Sequence, residues 1–114
     1  THDNDTFVGY VEKLSEEERA QFEEELEAEC LTLDTPYLTE TLEDECQSAV
    51  ELMFASKANT VIIPMQDVLA FGNEARMNAP ATFSGENWTF RFTKKDFKRK
   101  KASWLKGLTE QYQR

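Results

Sequence analysis

The 114-residue chain is poor in the residues on which several classes of protein depend. It has one histidine and two cysteines, so it lacks the nitrogen and sulfur ligands that build a structural zinc site. A secreted disulfide scaffold of this size needs a higher density of cysteine. None of its apolar runs approaches the ~20 residues that cross a bilayer. We therefore expect no metal, no cofactor and no membrane partner.

The two cysteines, Cys30 and Cys46, lie at apolar positions of predicted helices. Free thiols in a protein core are typical of a reducing compartment. Residues 1–20 are polar and acidic, unlike the apolar segment of an export signal. The sequence therefore favours a cytoplasmic location, and its length allows one small domain at most.

Charge is divided unequally between the two halves of the chain. Residues 1–57 hold 17 acidic and 3 basic residues, whereas residues 58–114 hold 5 acidic and 10 basic residues. A basic cluster over residues 94–101 is one pattern of nucleic-acid binding. Apolar residues recur at helical spacing through both halves, however. We interpret the charges as the solvent faces of amphipathic helices and expect no nucleic-acid partner.

The first third of the chain predicts two helices. A short helix covers residues 6–14, where apolar residues are frequent. Ser15 and Glu18 have the spacing of a capping box, which opens a second helix that continues to about Glu29. Its apolar residues are spaced by four, at Phe22, Leu26 and Cys30.

The clearest periodic pattern predicts a third helix that ends near Ser56. Thr39 or Thr41 can cap its amino terminus. One apolar face recurs at positions i, i+4 and i+7, which is typical of a helix packed on a core. The residues of this face are Leu42, Cys46, Ala49, Val50, Met53 and Phe54.

Residues 60–65 are rich in β-branched residues and are apolar on both faces, which predicts a buried parallel strand that ends near Pro64. Helices before and after such a strand indicate an α/β fold. A single strand cannot form a sheet, so its neighbours must lie outside these 114 residues. We therefore expect a fragment that is mostly α-helical with one or two short strands. Its unpaired strand edge would favour self-association.

Residues 66–92 have the composition of a long loop, followed by a terminal helix. Aromatic residues alternate near the end of the loop, at Trp88, Phe90 and Phe92. This alternation favours a half-buried extended segment over a sugar-stacking platform. Thr93 and Asp96 form a second capping-box pattern. The face of the helix that follows contains Phe97, Trp104, Leu105, Leu108 and Tyr112.

Two blocks of sequence resemble the amylomaltase (disproportionating enzyme) family of 4-α-glucanotransferases, glycoside hydrolase family 77. The first block is Thr1-His2-Asp3-Asn4-Asp5-Thr6. The second runs from Ile63-Pro64-Met65-Gln66-Asp67-Val68-Leu69 to Gly72-Asn73-Glu74-Ala75-Arg76-Met77-Asn78, then Pro80 and Asn87-Trp88. The similarity covers essentially the whole chain. Two positions depart from the family pattern, Ala81 where glycine is usual and Phe71 where a smaller aliphatic residue is common.

The resemblance implies that the chain forms about the last two β/α units of a (β/α)8 TIM barrel. Residues 1–57 would be the helices that follow strand seven, residues 58–92 strand eight with a long loop, and residues 93–114 the terminal helix. In such barrels the active site lies at the carboxyl ends of the strands. The segments His2-Asp3 and Gln66-Asp67 would then lie on the catalytic face.

The resemblance also implies the chemistry, which is retaining transfer of α-1,4-glucan segments through a glycosyl-enzyme. Asp3 would be the third carboxylate of the family and would stabilise the oxocarbenium-like transition state. His2 would hydrogen-bond the same donor sugar. The nucleophile and the acid/base of the family lie on earlier strands. We therefore expect the isolated chain to be inactive and to require the rest of the barrel.

The remaining residues that the resemblance places near the glucan are Asn4, Gln66, Asp67 and Asn78. Asp67 with Arg76 is either a sugar contact or a structural ion pair that orders the loop, and Asn78 has the same two interpretations. The structural one is preferred, because loop residues near such sites often only support the residues that touch the ligand. The residues alone also allow a different class of protein, a stand-alone helical interaction module whose oppositely charged halves guide assembly. That alternative gives no reason for the two blocks.

Overall fold

The computed structural model describes residues 4–79, 85 and 87–114. These residues form five α-helices and two 3₁₀ helices, and none of them lies in a β-strand. None of the described helices is long and apolar enough to cross a membrane. The α-helices are α1 (Phe7–Glu12), α2 (Glu16–Leu33), α3 (Leu42–Ala55), α4 (Met65–Val68) and α5 (Arg99–Gln111). The 3₁₀ helices are Asn73–Ala75 and Lys94–Asp96.

Side-chain caps fix the amino termini of the first three helices. Thr6 accepts a hydrogen bond from the Gly9 amide at 3.0 Å, which caps α1. Ser15 and Glu18 form the predicted capping box of α2. Of the two threonines considered for α3, Thr41 is the cap. Each cap satisfies an amide that has no partner within the helix, and is worth about 1 kcal/mol.

Helix α3 contacts α1, α2, α4 and α5. The centre of its predicted apolar face is buried, at Cys46 and Val50, whereas Met53 at its end is 47% exposed. Both cysteines are free and buried, as predicted. The core residues are Val8, Val11, Leu26, Cys30, Cys46, Val50, Val68, Ala75 and Leu108.

Helix α5 is attached to α3 by apolar and polar contacts. Leu108 is buried, and the Tyr112 hydroxyl donates a hydrogen bond to Glu51 Oε2 at 2.7 Å. Burial, and then the Glu51 carboxylate, raise the pKa of Tyr112 to about 12. Arg114 donates to the carbonyls of Phe54 and Ser56, where α3 ends. Most basic side chains of this region are exposed, which confirms the predicted solvent face.

The predicted strand over residues 60–65 is wrong for the described chain. Residues 60–64 have no regular secondary structure, and Met65 already begins α4. Ile62 is 89% exposed, so the expected burial is also absent. A parallel strand requires hydrogen bonds to neighbouring strands, and the described residues offer none. Apolar β-branched composition alone therefore did not produce a strand.

The predicted start of the terminal helix is also wrong. Thr93 and Asp96 do form a capping box, but it caps the 3₁₀ helix, and α5 begins three residues later at Arg99. Phe97 precedes α5 and is 58% exposed. Its ring packs against Phe92, whose centroid lies 5.7 Å away. Phe92 in turn contacts Phe71 and Phe90, which completes a four-ring cluster. The predicted half-buried segment is thus confirmed for Phe90 and Phe92 and wrong for Trp88, which is 48% exposed.

Gly9 allows α1 to lie directly against the 3₁₀ helix that begins at Asn73. A Cβ added at Gly9 would lie 2.5 Å from Asp5 Oδ1, 2.9 Å from Thr6 Oγ1 and 3.0 Å from the Cα of Asn73. The last of these atoms is backbone and cannot rotate away. Glycine is therefore required here by close approach.

We expect Gly9→Ala to lower the free energy of unfolding by about 1–3 kcal/mol, because overpacking forces Asp5 and the 3₁₀ helix apart. Gly107→Ala is the matched control. It lies on the exposed side of α5 with nothing within 4 Å of an added Cβ, and should stabilise by about 0.5–1 kcal/mol. Denaturant unfolding followed by circular dichroism measures both. Equal stability of Gly9→Ala and the parent would contradict the close approach.

Glu45 is a buried carboxyl group between α2 and α3, with 1% of its surface exposed. Its Oε2 accepts a hydrogen bond from Arg19 Nη2 at 3.2 Å. Its Oε1 has no hydrogen-bond partner in the part of the chain that the structure describes. Burial raises the pKa of Glu45, and the nearby carboxyl of Glu23 raises it further, against the attraction of Arg19.

This raised pKa gives stability a defined pH dependence. The folded state binds the Glu45 proton more tightly than the unfolded state, so the stabilisation is complete below the unfolded pKa and is lost as pH rises through the folded pKa. Glu45→Gln keeps the shape and removes the titration. We expect its thermal midpoint to match the parent at about pH 4, and to exceed it by a margin that grows as the pH rises from there to the folded pKa. Glu29→Gln, exposed on α2, is the matched control for removal of one carboxylate. A constant difference for Glu45→Gln would rule out this account.

Candidate active site

Asp5 joins the first described residues to the loop that follows α4. Its Oδ1 accepts hydrogen bonds from the Thr6 amide at 2.8 Å and from Asn73 Nδ2 at 3.0 Å. Its Oδ2 accepts from Lys13 Nζ at 2.7 Å, and Arg76 Nη1 lies 3.9 Å away. Asn73 and Arg76 are about 70 positions further along the chain. One carboxylate therefore holds together two segments that are distant in sequence.

The Asp5 side chain is 10% exposed, and its charge is stabilised by its partners. Burial acts to raise its pKa, but the hydrogen bonds from Lys13, Asn73 and Thr6 outweigh burial and hold the pKa of Asp5 below its usual value. Asp5 is therefore ionised at neutral pH, with both oxygens occupied. This arrangement suits a structural support and not a base or nucleophile.

Asp67 makes a second connection between the same two segments. Its Oδ1 accepts a hydrogen bond from the Phe7 amide, at the start of α1, at 2.8 Å. Its backbone carbonyl accepts a hydrogen bond from Cys46 Sγ in α3 at 3.1 Å. Burial raises the pKa of the Cys46 thiol to about 12, so it stays a neutral donor. Helix α4 is thereby fixed against both α1 and α3.

Asp67 differs from Asp5 in its electrostatics. Burial raises the pKa of Asp67, with the nearby Asp5 charge adding to the rise and the Phe7 amide opposing it. Its Oδ2 accepts no hydrogen bond from a residue that the structure describes. This oxygen can therefore accept a hydrogen bond from a ligand hydroxyl. Arg76 forms its ion pair with Asp5, and no salt bridge to Asp67 is present among the described side chains.

The loop after Arg76 is ordered by further hydrogen bonds. Arg76 Nε donates to the Asn78 carbonyl at 2.9 Å, and the Ala79 amide donates to Asn87 Oδ1 at 3.2 Å. The amide of Trp88 donates to the carbonyl of Met77. Gln66 Nε2 donates to the Ala75 carbonyl at 3.3 Å. Gln66 and Asn78, both half-buried, thus belong to one loop cluster that packs beside Asp5 and Asp67.

The predicted residues at the beginning of the chain are only partly covered by the structure. His2 and Asp3 lie outside the described residues. Asn4 is described and exposed, immediately before Asp5. Asn4 thus precedes the Asp5 carboxylate that is hydrogen-bonded to Asn73. Gln66 and Asn78 are hydrogen-bonded within the loop that contains Asn73, and Asp67 is joined to the start of α1 through the Phe7 amide.

Sequence reasoning missed the structural roles of Asp5, Gly9 and Asn73. Asp5 and Asn73 stood inside the two blocks, but only as members of a matching pattern. No local sequence pattern predicts the hydrogen bond between Asp5 and Asn73, because the two residues are 68 positions apart and meet only in the folded chain. Gly9 offered a weak signal, since a glycine within a predicted helix lowers helix stability and so points to a packing requirement.

The sequence is similar to those of known proteins. A family model described as 4-alpha-glucanotransferase matches residues 1–98. The chloroplastic/amyloplastic 4-alpha-glucanotransferase of Arabidopsis thaliana is 41% identical over 92 residues, covering 80% of this chain and 14% of that protein. The 4-alpha-glucanotransferase of Clostridium butyricum is 35% identical over 114 residues, covering all of this chain and 21% of that protein.

The folded structure is similar to a solved structure as well. The amylomaltase of Streptococcus agalactiae in complex with acarbose matches with a TM-score of 0.75 and 29% sequence identity. The match covers 100% of this chain and 21% of that chain. These 114 residues thus span about a fifth or less of the relatives that they match. Because the family model covers most of the sequence, the chain belongs to the 4-alpha-glucanotransferase family.

Proposed function

We propose that the full-length protein containing this chain is a retaining 4-α-glucanotransferase that moves α-1,4-glucan segments to an acceptor sugar. The family match over residues 1–98 is the observation that carries this proposal. The similar amylomaltase was solved in complex with acarbose, which supports a sugar as the ligand. No comparable observation favours the stand-alone interaction module.

In the proposed reaction two carboxyl groups on other parts of the enzyme do the covalent work. A carboxylate attacks the anomeric carbon of the donor while a carboxylic acid gives its proton to the leaving glycosidic oxygen. An acceptor hydroxyl then attacks the glycosyl-enzyme, and the same acid/base takes the hydroxyl proton. The ester bond breaks as the new glycosidic bond forms. The glucan segment is thus transferred with its anomeric configuration retained.

Within this chain we assign the transition-state role to Asp3. A fixed negative charge beside the anomeric carbon stabilises the positive charge that develops there. His2 hydrogen-bonds the same sugar, since a neutral imidazole offers one donor and one acceptor. Asn4 is assigned to the same sugar-binding segment. The assignment places these residues on the catalytic face of a (β/α)8 barrel, at the end of strand seven.

The second segment of the proposed site contains Gln66, Asp67 and Asn78. Asp67 is supported by its second carboxylate oxygen, which accepts no hydrogen bond from a described residue, whereas the first oxygen receives the Phe7 amide. Gln66 and Asn78 belong to the loop that hydrogen bonds order next to it. In this assignment the loop that follows α4 completes the donor site. The cytoplasmic location stays a prediction.

The proposal predicts that Asp3→Asn in the full-length protein lowers kcat for disproportionation of maltotriose by about 10²-fold or more, because one transition-state charge is lost. Release of glucose measures the reaction. Asp34→Asn is the matched control, since Asp34 is an exposed aspartate in the left-handed conformation that asparagine tolerates. It should keep the parent rate. Parent-like turnover by Asp3→Asn would remove Asp3 from the mechanism.

The proposal also predicts that residues 1–114 alone release no glucose from maltotriose, because the nucleophile and acid/base lie elsewhere. The exposed apolar side chain of Ile62 and the unpaired segment around it should also favour self-association of this piece. Sedimentation over a range of concentrations tests the second point. Glucose release would refute the first expectation, and a monomer at every concentration would refute the second.

A further inference from the structure

We propose that Asp5 is a positioning residue of the transferase, whose carboxylate holds the chain segment at residues 4–6 against the loop that begins at Gly72. The inference rests on the proposed function, in which Asp3 acts on the donor sugar. Asp5 is not among the residues to which the family resemblance assigns a role. Asp5 acts through its neighbours and does not itself touch the sugar.

The contacts of Asp5 come from three parts of the chain. The Thr6 amide belongs to the turn before α1, Lys13 follows α1, and Asn73 belongs to the 3₁₀ helix of the loop. Arg76 adds a charge at 3.9 Å from the same carboxylate. An exposed ion pair contributes little, but this carboxylate is 10% exposed and charge-assisted hydrogen bonds reach both of its oxygens. Because both of its oxygens are held in this way, the Asp5 side chain restricts the position of the backbone at residue 5.

The packing around Asp5 leaves little freedom for adjustment. The Cβ that Gly9 lacks would meet Asp5 Oδ1, Thr6 Oγ1 and the Asn73 backbone at once. The carboxylate is therefore enclosed by α1 on one side and the loop on the other. A shift of the loop at Asn73 would either break its hydrogen bond to Asp5 or move Asp5 with it.

The covalent chain carries this constraint to the proposed catalytic position. Asp3 and Asp5 are separated by two peptide units, so their Cα atoms can be at most about 7 Å apart. Fixing Asp5 therefore limits the volume that the backbone of Asp3 can reach. A displacement of about 1 Å at a reacting group can cost on the order of 10²-fold in rate. Loss of the Asp5 contacts should thus act on turnover more than on substrate affinity.

The test uses the full-length enzyme and disproportionation of maltotriose. We expect Asp5→Ala to lower kcat per folded molecule by about 100-fold, with KM changed by less than about 3-fold. Asp5→Asn keeps an oxygen for the Thr6 amide and Asn73 but turns a donor towards Lys13. It should restore part of the rate, leaving a loss of about 10-fold. A purely structural role would lower the unfolding midpoint and leave kcat per folded molecule unchanged.

Glu51→Gln is the matched control for Asp5→Asn. It also changes a carboxylate to an amide and removes a tertiary contact, the hydrogen bond from Tyr112, but it lies at the α3–α5 contact. It should lower the unfolding midpoint without lowering kcat. Equal kcat values for Asp5→Asn, Glu51→Gln and the parent would overturn the inference.

Asn73→Ala tests the same connection from the loop side and covers the case in which Asp5→Ala does not fold. Asn73 is exposed, so its substitution should leave the fold intact. We expect a loss in kcat of about 10-fold. Combined with Asp5→Asn it should cost much less than the product of the two single effects, because both remove one connection. Multiplicative effects, or no effect of Asn73→Ala, would overturn the inference.

The same series separates failure of this inference from failure of the proposed function. An inactive parent enzyme, or a fully active Asp3→Asn variant, would overturn the proposed function and the inference with it. An active parent, an impaired Asp3→Asn and an unimpaired Asp5→Ala would overturn the inference alone. Impaired Asp3→Asn together with kcat-selective loss in Asp5→Ala supports both.

Discussion

Burial of one face of α3 is the constraint on which the rest of the described structure depends. Four other helices contact α3, and its central residues Cys46 and Val50 are almost inaccessible to solvent. Burying an aliphatic side chain of this size contributes about 1.5–3 kcal/mol. Because α1, α2, α4 and α5 all pack on the same helix, their mutual positions follow from it.

Polar contacts then fix the relative positions of α1 and α4, which apolar burial against α3 does not determine by itself. The Cys46 thiol donates to the backbone of Asp67, and the Asp67 side chain receives the amide of Phe7. Asp5 adds the direct link to Asn73. Apolar packing brings α1 and α4 to the same helix, but these directional hydrogen bonds decide which residues meet. The proposed site lies where the directional contacts accumulate, a pattern expected of a supporting shell around a reactive group.

Local features of the structure could be predicted from local sequence. The capping box at Ser15 and Glu18, the cap at Thr41 and the buried stripe of α3 are all present. Each depends on residues within a few positions of one another, so a periodic pattern contains the needed information. The family resemblance was likewise readable, because the two blocks are contiguous stretches, and the family match confirms it.

The failures share a non-local cause. Residues 60–65 have the composition of a strand, but a strand exists only with hydrogen-bonded neighbours, and none is present in the described residues. The capping box at Thr93 and Asp96 was real, yet it caps only the 3₁₀ helix Lys94–Asp96. Phe97, which follows it, packs against Phe92, and α5 begins at Arg99. The local signals here predicted the capping box correctly but placed the start of the terminal helix too early.

The sequence by itself determined helices α1, α2 and α3, the caps of α2 and α3, the buried thiols and the membership of a family. For the candidate site, the sequence identified which residues to consider but not how they are arranged in space. That Asp5 meets Asn73 across 68 positions, that Asp67 receives the Phe7 amide, and that Gly9 must lack a side chain were decided by the tertiary structure. The physical reason is that hydrogen-bond direction and steric fit depend on distances of a few tenths of an ångström between distant segments, which no local pattern encodes.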